Sequence, residues 1–258
     1  MKSIALGKAR LRWEGRVARL VRGGTALEAA LPAGTLGEEP LAKAGARAVL
    51  ATRDTAVLAD GKGMTLATAR FPGAILAARA IGAAALLVGR DEVEVRDFPS
   101  GSRLGGASPG GASRPGLVAV AGTSAACAFA DRFVAAAADG RTAVHAVQAS
   151  FPLLEAVGGW FLAAGRDRIV TASAGEPGRS RAWTASGALR HDLFASKGAL
   201  GALATRDHLY VVDGTAGEVR ERGLGGRIEE VEVLAGRVRV VTADGREREF
   251  DAGGDEVG

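Results

Sequence analysis

Short apolar runs alternate with turn signals along the whole chain. The segment VRVVTADGREREF (Val238 to Phe250) is an apolar run, an Asp-Gly turn and then an alternating charged run, and it predicts a β-hairpin. FVAAAADGRTAVHAV (Phe133 to Val147) and AVLADGKGMTLAT (Ala56 to Thr68) repeat the same arrangement.

Seven such turns can be placed: VRGG at Val21, ADGKG at Ala59, VGRDE at Val88, ADGR at Ala138, AGEPGRS at Ala174, VDGTAG at Val212 and ADGR at Ala243. Their spacing centres on roughly 37 residues, near the period of a four-stranded propeller blade. A second turn precedes each by about eight to ten residues, one strand plus its turn. TRD at Thr52, ADR at Ala130, GRD at Gly165, TRD at Thr205 and AGR at Ala235 are the clearest, with WEGR at Trp13 and IGA at Ile81 as weaker members. Each unit therefore reads as three strands with a more variable fourth. In the fifth unit GWFLAAG, RIVTASAG and SRAWTASG supply the three. The Gly-, Ser- and Pro-rich stretch Ser100 to Gly116 reads as a surface loop and explains the one long interval.

Two alanine-rich stretches, ILAARAIGAAALLVG and SAACAFADRFVAAAADG, have helical propensity, but they fall in register with the hairpins and end at turn signals. The expectation is one all-β domain over residues 1–258, a seven-bladed β-propeller of four-stranded antiparallel blades. The last unit supplies only three strands. The extra segment KSIALG (Lys2 to Gly7) is expected to complete that blade, closing the ring.

The units resemble WD-type β-propeller repeats, in which a third strand ends near an aromatic-Asp pair and a glycine. VEVRDFPSG (Val93 to Gly101) and RAWTASG (Arg181 to Gly187) carry that ending, with Asp97-Phe98 and Trp183 near the expected places. The Gly-His pair that often opens such a repeat is absent. Looser bacterial propellers that partner ATPase or signalling modules are similar as well. The resemblance implies a rigid scaffold that binds another protein.

Composition adds bounds. Hydrophobic residues make up 47% of the chain and aromatics only 5%, so the core is built from small aliphatic side chains. The net charge of +4 comes with no block of like charges, which gives little support to nucleic-acid or membrane binding. The lone Cys127 excludes an intramolecular disulfide and reads as a buried core residue. The N-terminus lacks the apolar stretch of roughly 7–15 residues that a secretory signal needs, so a soluble, cytoplasmic, monomeric protein is expected.

Candidate chemistry is sparse. GASPG around Ser108 matches a nucleophile elbow in pattern, but no helix follows it. ADGKGMT, with Lys62 and Thr65, lacks the Walker spacing. His145, His191 and His208 show no metal-ligand spacing, so no metal, cofactor or catalytic residue is expected. The Arg-Asp pairs at Arg53, Arg166 and Arg206 read as turn chemistry rather than an ionic ring, and Trp13, Trp160 and Trp183 as packing between blades. Lys62, Arg90, Arg141, Arg179 and Arg246 are expected on one basic face that meets an acidic partner protein. The alternative is a lactonase- or lyase-like enzyme, or a small-ligand binder, using the central channel.

Overall fold

The computed structural model describes residues 1–110, 115–148 and 153–257. Every regular element among them is a β-strand. The first sheet is β1 (Lys2–Leu6), β2 (Ala9–Glu14), β3 (Val17–Arg22) and β4 (Thr25–Ala30). The second is β5 (Ala42–Ala44), β6 (Arg47–Ala51), β7 (Thr55–Asp60) and β8 (Thr65–Arg70). The third is β9 (Ala77–Ile81), β10 (Ala84–Val88), β11 (Val93–Asp97) and β12 (Arg103–Ala107). The fourth is β13 (Val118–Ala121), β14 (Ser124–Ala128), β15 (Arg132–Ala137) and β16 (Thr142–Ala146). The fifth is β17 (Leu153–Val157), β18 (Trp160–Ala164), β19 (Arg168–Ser173) and β20 (Ser180–Thr184). The sixth is β21 (Arg190–Lys197), β22 (Leu200–Ala204), β23 (His208–Asp213) and β24 (Glu218–Gly223). The seventh is β25 (Ile228–Val233), β26 (Val238–Thr242) and β27 (Glu247–Phe250). Seven antiparallel meanders in chain order are the blade set of a seven-bladed β-propeller.

The chain divides into two compact units. One comprises Met1–Pro115, Thr123–Ala125 and Ala136–Ala143; the other comprises Gly116–Gly122, Ala126–Ala135 and Val144–Gly258. In the first unit, Leu11, Trp13 and Leu20 of the first sheet pack on Leu50, Val57 and Ala59 of the second. Val49 and Leu58, pointing the other way from the same two strands, pack on Ala85, Leu87 and Phe98 around the third. In the second unit, Leu203, Tyr210 and Val212 face the fifth sheet, while Leu209 and Val211 face the seventh. A middle strand is thus buried on both faces. Its sequence loses the polar half of the alternation and becomes a continuous apolar run. This is why β14 and β15, written in alanine, look helical in isolation.

Three expectations are corrected. First, KSIALG does not complete the last blade: β1 pairs with β2, from Lys2↔Trp13 to Leu6↔Ala9, across the Gly7-Lys8 turn. A two-residue loop closes at far lower entropic cost than pairing with a strand more than two hundred residues away. The fourth place beside β27 is instead met by an isolated bridge between Phe250 and Glu256. Second, the variable strand of each unit is the first strand of its own sheet, so β17 precedes β18 and SRAWTASG contains a fourth strand, β20. Third, the loop expected over Ser100 to Gly116 contains β12, which pairs with β11. Its glycines fit because backbone comes close: a Cβ on Gly106 would lie 2.6 Å from the Val93 carbonyl oxygen. Residues 111–114 of that stretch lie outside the described residues.

Candidate functional site

The five basic residues do not share one end of their sheets. Lys62, Arg141 and Arg179 lie in turns between third and fourth strands, whereas Arg90 and Arg246 lie between second and third strands. Successive turns of a meander sit at opposite ends of the sheet, so the single basic face divides. The phase of the third unit slipped because VGRDE has the composition of the Asp-Gly turns yet closes β10 onto β11.

Three of the five, Arg141, Arg179 and Arg246, have their charge answered locally, whereas at Lys62 it is the backbone amide that is bonded. Arg141 pairs with Asp139 at 2.8 Å and Arg246 with Asp244 at 3.1 Å. The Arg141 amide and guanidinium hold the Asp139 carboxyl below its ordinary range, and the Thr242 hydroxyl, with Arg246, does the same for Asp244. Arg179 stacks 5.4 Å over the Trp160 ring, with Glu176 at 3.9 Å. The Lys62 amide donates to Asp60 Oδ1 at 2.8 Å, and Arg47 pairs with the same carboxylate at 2.9 Å. Burial pushes the Asp60 carboxyl up, but the Gly63 amide and Arg47 outweigh it and the net shift is downward.

The Arg-Asp turns behave differently. Each is a tight reversal between second and third strands, closed by bonds such as Thr52 N–H to Thr55 O at 2.8 Å and Gly165 N–H to Arg168 O at 2.8 Å. Their carbonyls accept the linker to the next sheet. Phe71 N–H reaches Asp54 O at 2.7 Å and Ile75 N–H reaches Arg53 O at 2.8 Å. Ala185 and Leu189 repeat this on Asp167 and Arg166, and Leu224 and Ile228 on Asp207 and Arg206. Turn chemistry is therefore the right account of these backbones. Their guanidinium groups are exposed, and among the described residues Arg53, Arg90, Arg166 and Arg206 have no carboxylate at ion-pairing distance.

Arg53 and Arg90 open onto one cavity of ≈ 600 Å³ in the first unit, also lined by Phe71, Pro72, Leu76 and Asp91. Arg53 comes from the β6–β7 turn and Arg90 from the β10–β11 turn, with the Phe71–Leu76 linker between them.

The remaining candidates take structural roles. Ser108 follows β12, and its hydroxyl donates to Asp91 O at 3.0 Å. Cys127 is buried on β14. Trp13 and Trp160 are buried and donate to Gly37 O and Thr215 O; Trp183 is partly buried against the core of the fifth and sixth sheets. His145 is buried, with Nε2 2.8 Å from Pro177 O, and His208 Nδ1 lies 2.9 Å from Asp207 Oδ1. Among the described residues, no group of three or more His, Cys, Asp or Glu side chains could hold a metal ion.

No protein-family model matches the chain, and no curated protein matches it. Solved structures do. BamB from Moraxella catarrhalis is 13% identical, with 100% of this chain and 86% of that one covered and a TM-score of 0.42. Apo AztD from Citrobacter koseri is 15% identical, with 99% and 84% covered and a TM-score of 0.44. Sqt1 from Saccharomyces cerevisiae is 12% identical, with 97% and 81% covered and a TM-score of 0.44.

Proposed function

We propose that this chain is a non-catalytic interaction module that binds a partner protein through its Arg-Asp turns. The observation that carries the reading is the contrast between two kinds of basic residue. Arg141 and Arg246 spend their charge on a carboxylate in the same turn. Arg53, Arg90, Arg166 and Arg206 do not, although their backbones are held by linker hydrogen bonds or tight turn closure. A guanidinium on a rigid mount loses little backbone freedom when it meets a carboxylate, and it can do so with two parallel hydrogen bonds. Such groups serve recognition better than they serve the fold. The partner surface they fit is acidic.

The test is affinity capture of the tagged protein from its native lysate at low and moderate salt. The comparison is with a variant carrying Glu at positions 53, 90, 166 and 206. A stoichiometric protein retained by the wild type and lost by the variant supports the reading. Retention by both removes the arginines from it, and recovery of bare wild-type protein at both salts overturns it.

A further inference from the structure

The cavity between the second and third sheets is built, and its chemistry is specific. Its floor is the Phe71 ring, only 3% exposed. That ring fits under the β10–β11 turn because residue 89 is glycine: a Cβ there would lie 2.5 Å from Phe71 Cε1 and 3.0 Å from Ala74 O. Its walls are set by backbone bonds, Phe71 N–H to Asp54 O at 2.7 Å, Ile75 N–H to Arg53 O at 2.8 Å, Leu76 N–H to Val88 O at 2.8 Å and Gly89 N–H to Glu92 O at 2.9 Å. The backbone around the cavity is already fixed before a ligand enters, which removes one cost of binding.

Charge and apolar surface then narrow the occupant. Glu92, on the cavity wall, is taken by Arg103 at 2.7 Å. Arg53 and Arg90 are left facing a single carboxylate, Asp91, so one positive charge is in excess. Beside them Leu76 is 39% exposed, immediately before β9. Leu41, immediately before β5, is 37% exposed, and β5 packs against β9. The two leucines therefore sit at the same end of neighbouring first strands. A compact metabolite that fills the cavity would leave Leu41 uncovered; an extended chain would cover both. Asp91 at the wall works against a polyphosphate backbone, which pairs best with uninterrupted cations.

Resting on the protein-binding reading, we infer that this cavity seats an extended acidic–apolar segment of the partner. A carboxylate side chain lies between Arg53 and Arg90, and apolar side chains two residues away on the same face of the segment lie on Leu76 and Leu41. The pattern is one acidic residue with an aliphatic one two positions to either side, because alternate side chains of an extended strand share a face.

The experiment is fluorescence anisotropy with the full chain. The probe is a fluorescein-labelled dodecapeptide with Gly-Ser ends and the centre Leu-Ser-Glu-Ser-Leu, which puts both Leu and the Glu on one face of an extended chain. A matched peptide with Gln for Glu and a mixed-sequence single-stranded DNA 12-mer are the comparisons. Saturable binding of the Glu peptide is expected, weakened about tenfold or more by the Gln replacement and by the Arg53→Ala, Arg90→Ala double variant. The Arg141→Ala, Arg246→Ala double variant, whose guanidinium groups already pair with Asp139 and Asp244 in the wild type, should bind the peptide as the wild type does. All four arginines are exposed turn residues, and a thermal melt on each variant confirms that the fold is kept. Wild-type affinity in the 53/90 variant overturns the proposal. So does the absence of saturation with wild-type protein, or displacement of the peptide by the DNA. If lysate capture still yields the partner from the 53/90 variant and not from the four-site Glu variant, the cavity falls while the protein-binding reading stands.

Discussion

Gly217 lies against the face of the Trp160 indole: a Cβ at 217 would overlap Cδ2, Cε2 and Cε3 of that ring. Thr171 Oγ1 donates to the Gly217 carbonyl at 2.8 Å, so the residue is tied in place from the fifth sheet. Its φ of +68° is also one that L side chains rarely adopt. Gly217→Ala should lower unfolding stability by about 2–4 kcal/mol, the sum of overpacking and left-handed strain. Gly225 has nearly the same φ, +69°, with open space around it. There the same substitution should cost only about 1–2 kcal/mol. Urea midpoints of the two variants make the comparison; equal losses would mean the indole contact contributes nothing.

Seven hairpins, their Asp-Gly turns and the Arg-Asp turns are readable from short-range composition, because each depends on a few neighbouring residues. The strand that opens each sheet is not, and the reason is specific. In the first six sheets it is joined to the second strand by a two-residue turn whose first member is glycine: Gly7, Gly45, Gly82, Gly122, Gly158 and Gly198, with φ between 55° and 64°. These recur at about 38 residues and set the true phase of the repeat. Of these, IGA marks only Gly82, because glycine followed by Lys, Ala, Thr or Gly is a weaker signal here than Asp-Gly, although glycine at the first loop position is what a type II′ hairpin requires. The candidate site was legible only as residue types. Arg53 and Arg141 look alike in sequence; that one keeps its charge and the other pairs with Asp139 depends on side-chain reach across a turn.

The chain's single tyrosine makes an optical test possible. Burial and the hydrogen bond to Glu221 (2.7 Å) push the Tyr210 phenol up to about 12, against the opposing pull of the Ser186 amide. Absorbance at the tyrosinate band should show a neutral phenol through pH ~10–11, where a free tyrosine ionises. Because the folded value is raised, the stability it reports is complete below pH ~10 and is lost as pH rises through the folded value. Glu221→Gln should bring the titration down towards pH ~10. A titration midpoint unmoved by that variant would assign the whole shift to burial.

Acid should weaken the fold in a window set by buried histidine. Burial holds His145 below its ordinary value, only partly opposed by the Pro177 carbonyl. That carbonyl can only accept, so Nε2 carries the proton in the neutral ring. His191 shifts the same way through burial, against Asp192. For a depressed histidine the unfolded chain takes up the proton first. Stability is therefore full above pH ~6.5 and falls as pH drops below it, levelling off beneath the folded value. His145→Gln keeps a donor for Pro177 without a titrating group, so the loss of urea midpoint between pH 7 and 5 should become shallower. An unchanged slope would place the titrating group elsewhere.

The last prediction concerns the edge of the seventh sheet, where two strands competed for one place. Beyond β27 the chain reverses at Asp251–Gly254, held by Asp251 N–H to Asp255 O at 3.0 Å and Gly254 N–H to Asp251 O at 2.9 Å. It then returns along β27, where Val257 N–H reaches Glu249 O at 2.9 Å. Arg248 grips Glu256 through two bonds, Nε at 2.8 Å and Nη2 at 2.5 Å, and holds that carboxyl below its ordinary range. Arg222 anchors the reversal at Gly254 O and Asp255. Removing residues 253–258 should expose β27 as a free edge and speed hydrogen exchange at the Asp251 amide by about tenfold or more, with Glu256→Gln giving a smaller change in the same direction. Removing residues 1–6 should leave that amide as protected as before and instead open β2, whose partner is lost. If the N-terminal deletion exposed β27, the place beside it would belong to β1 after all.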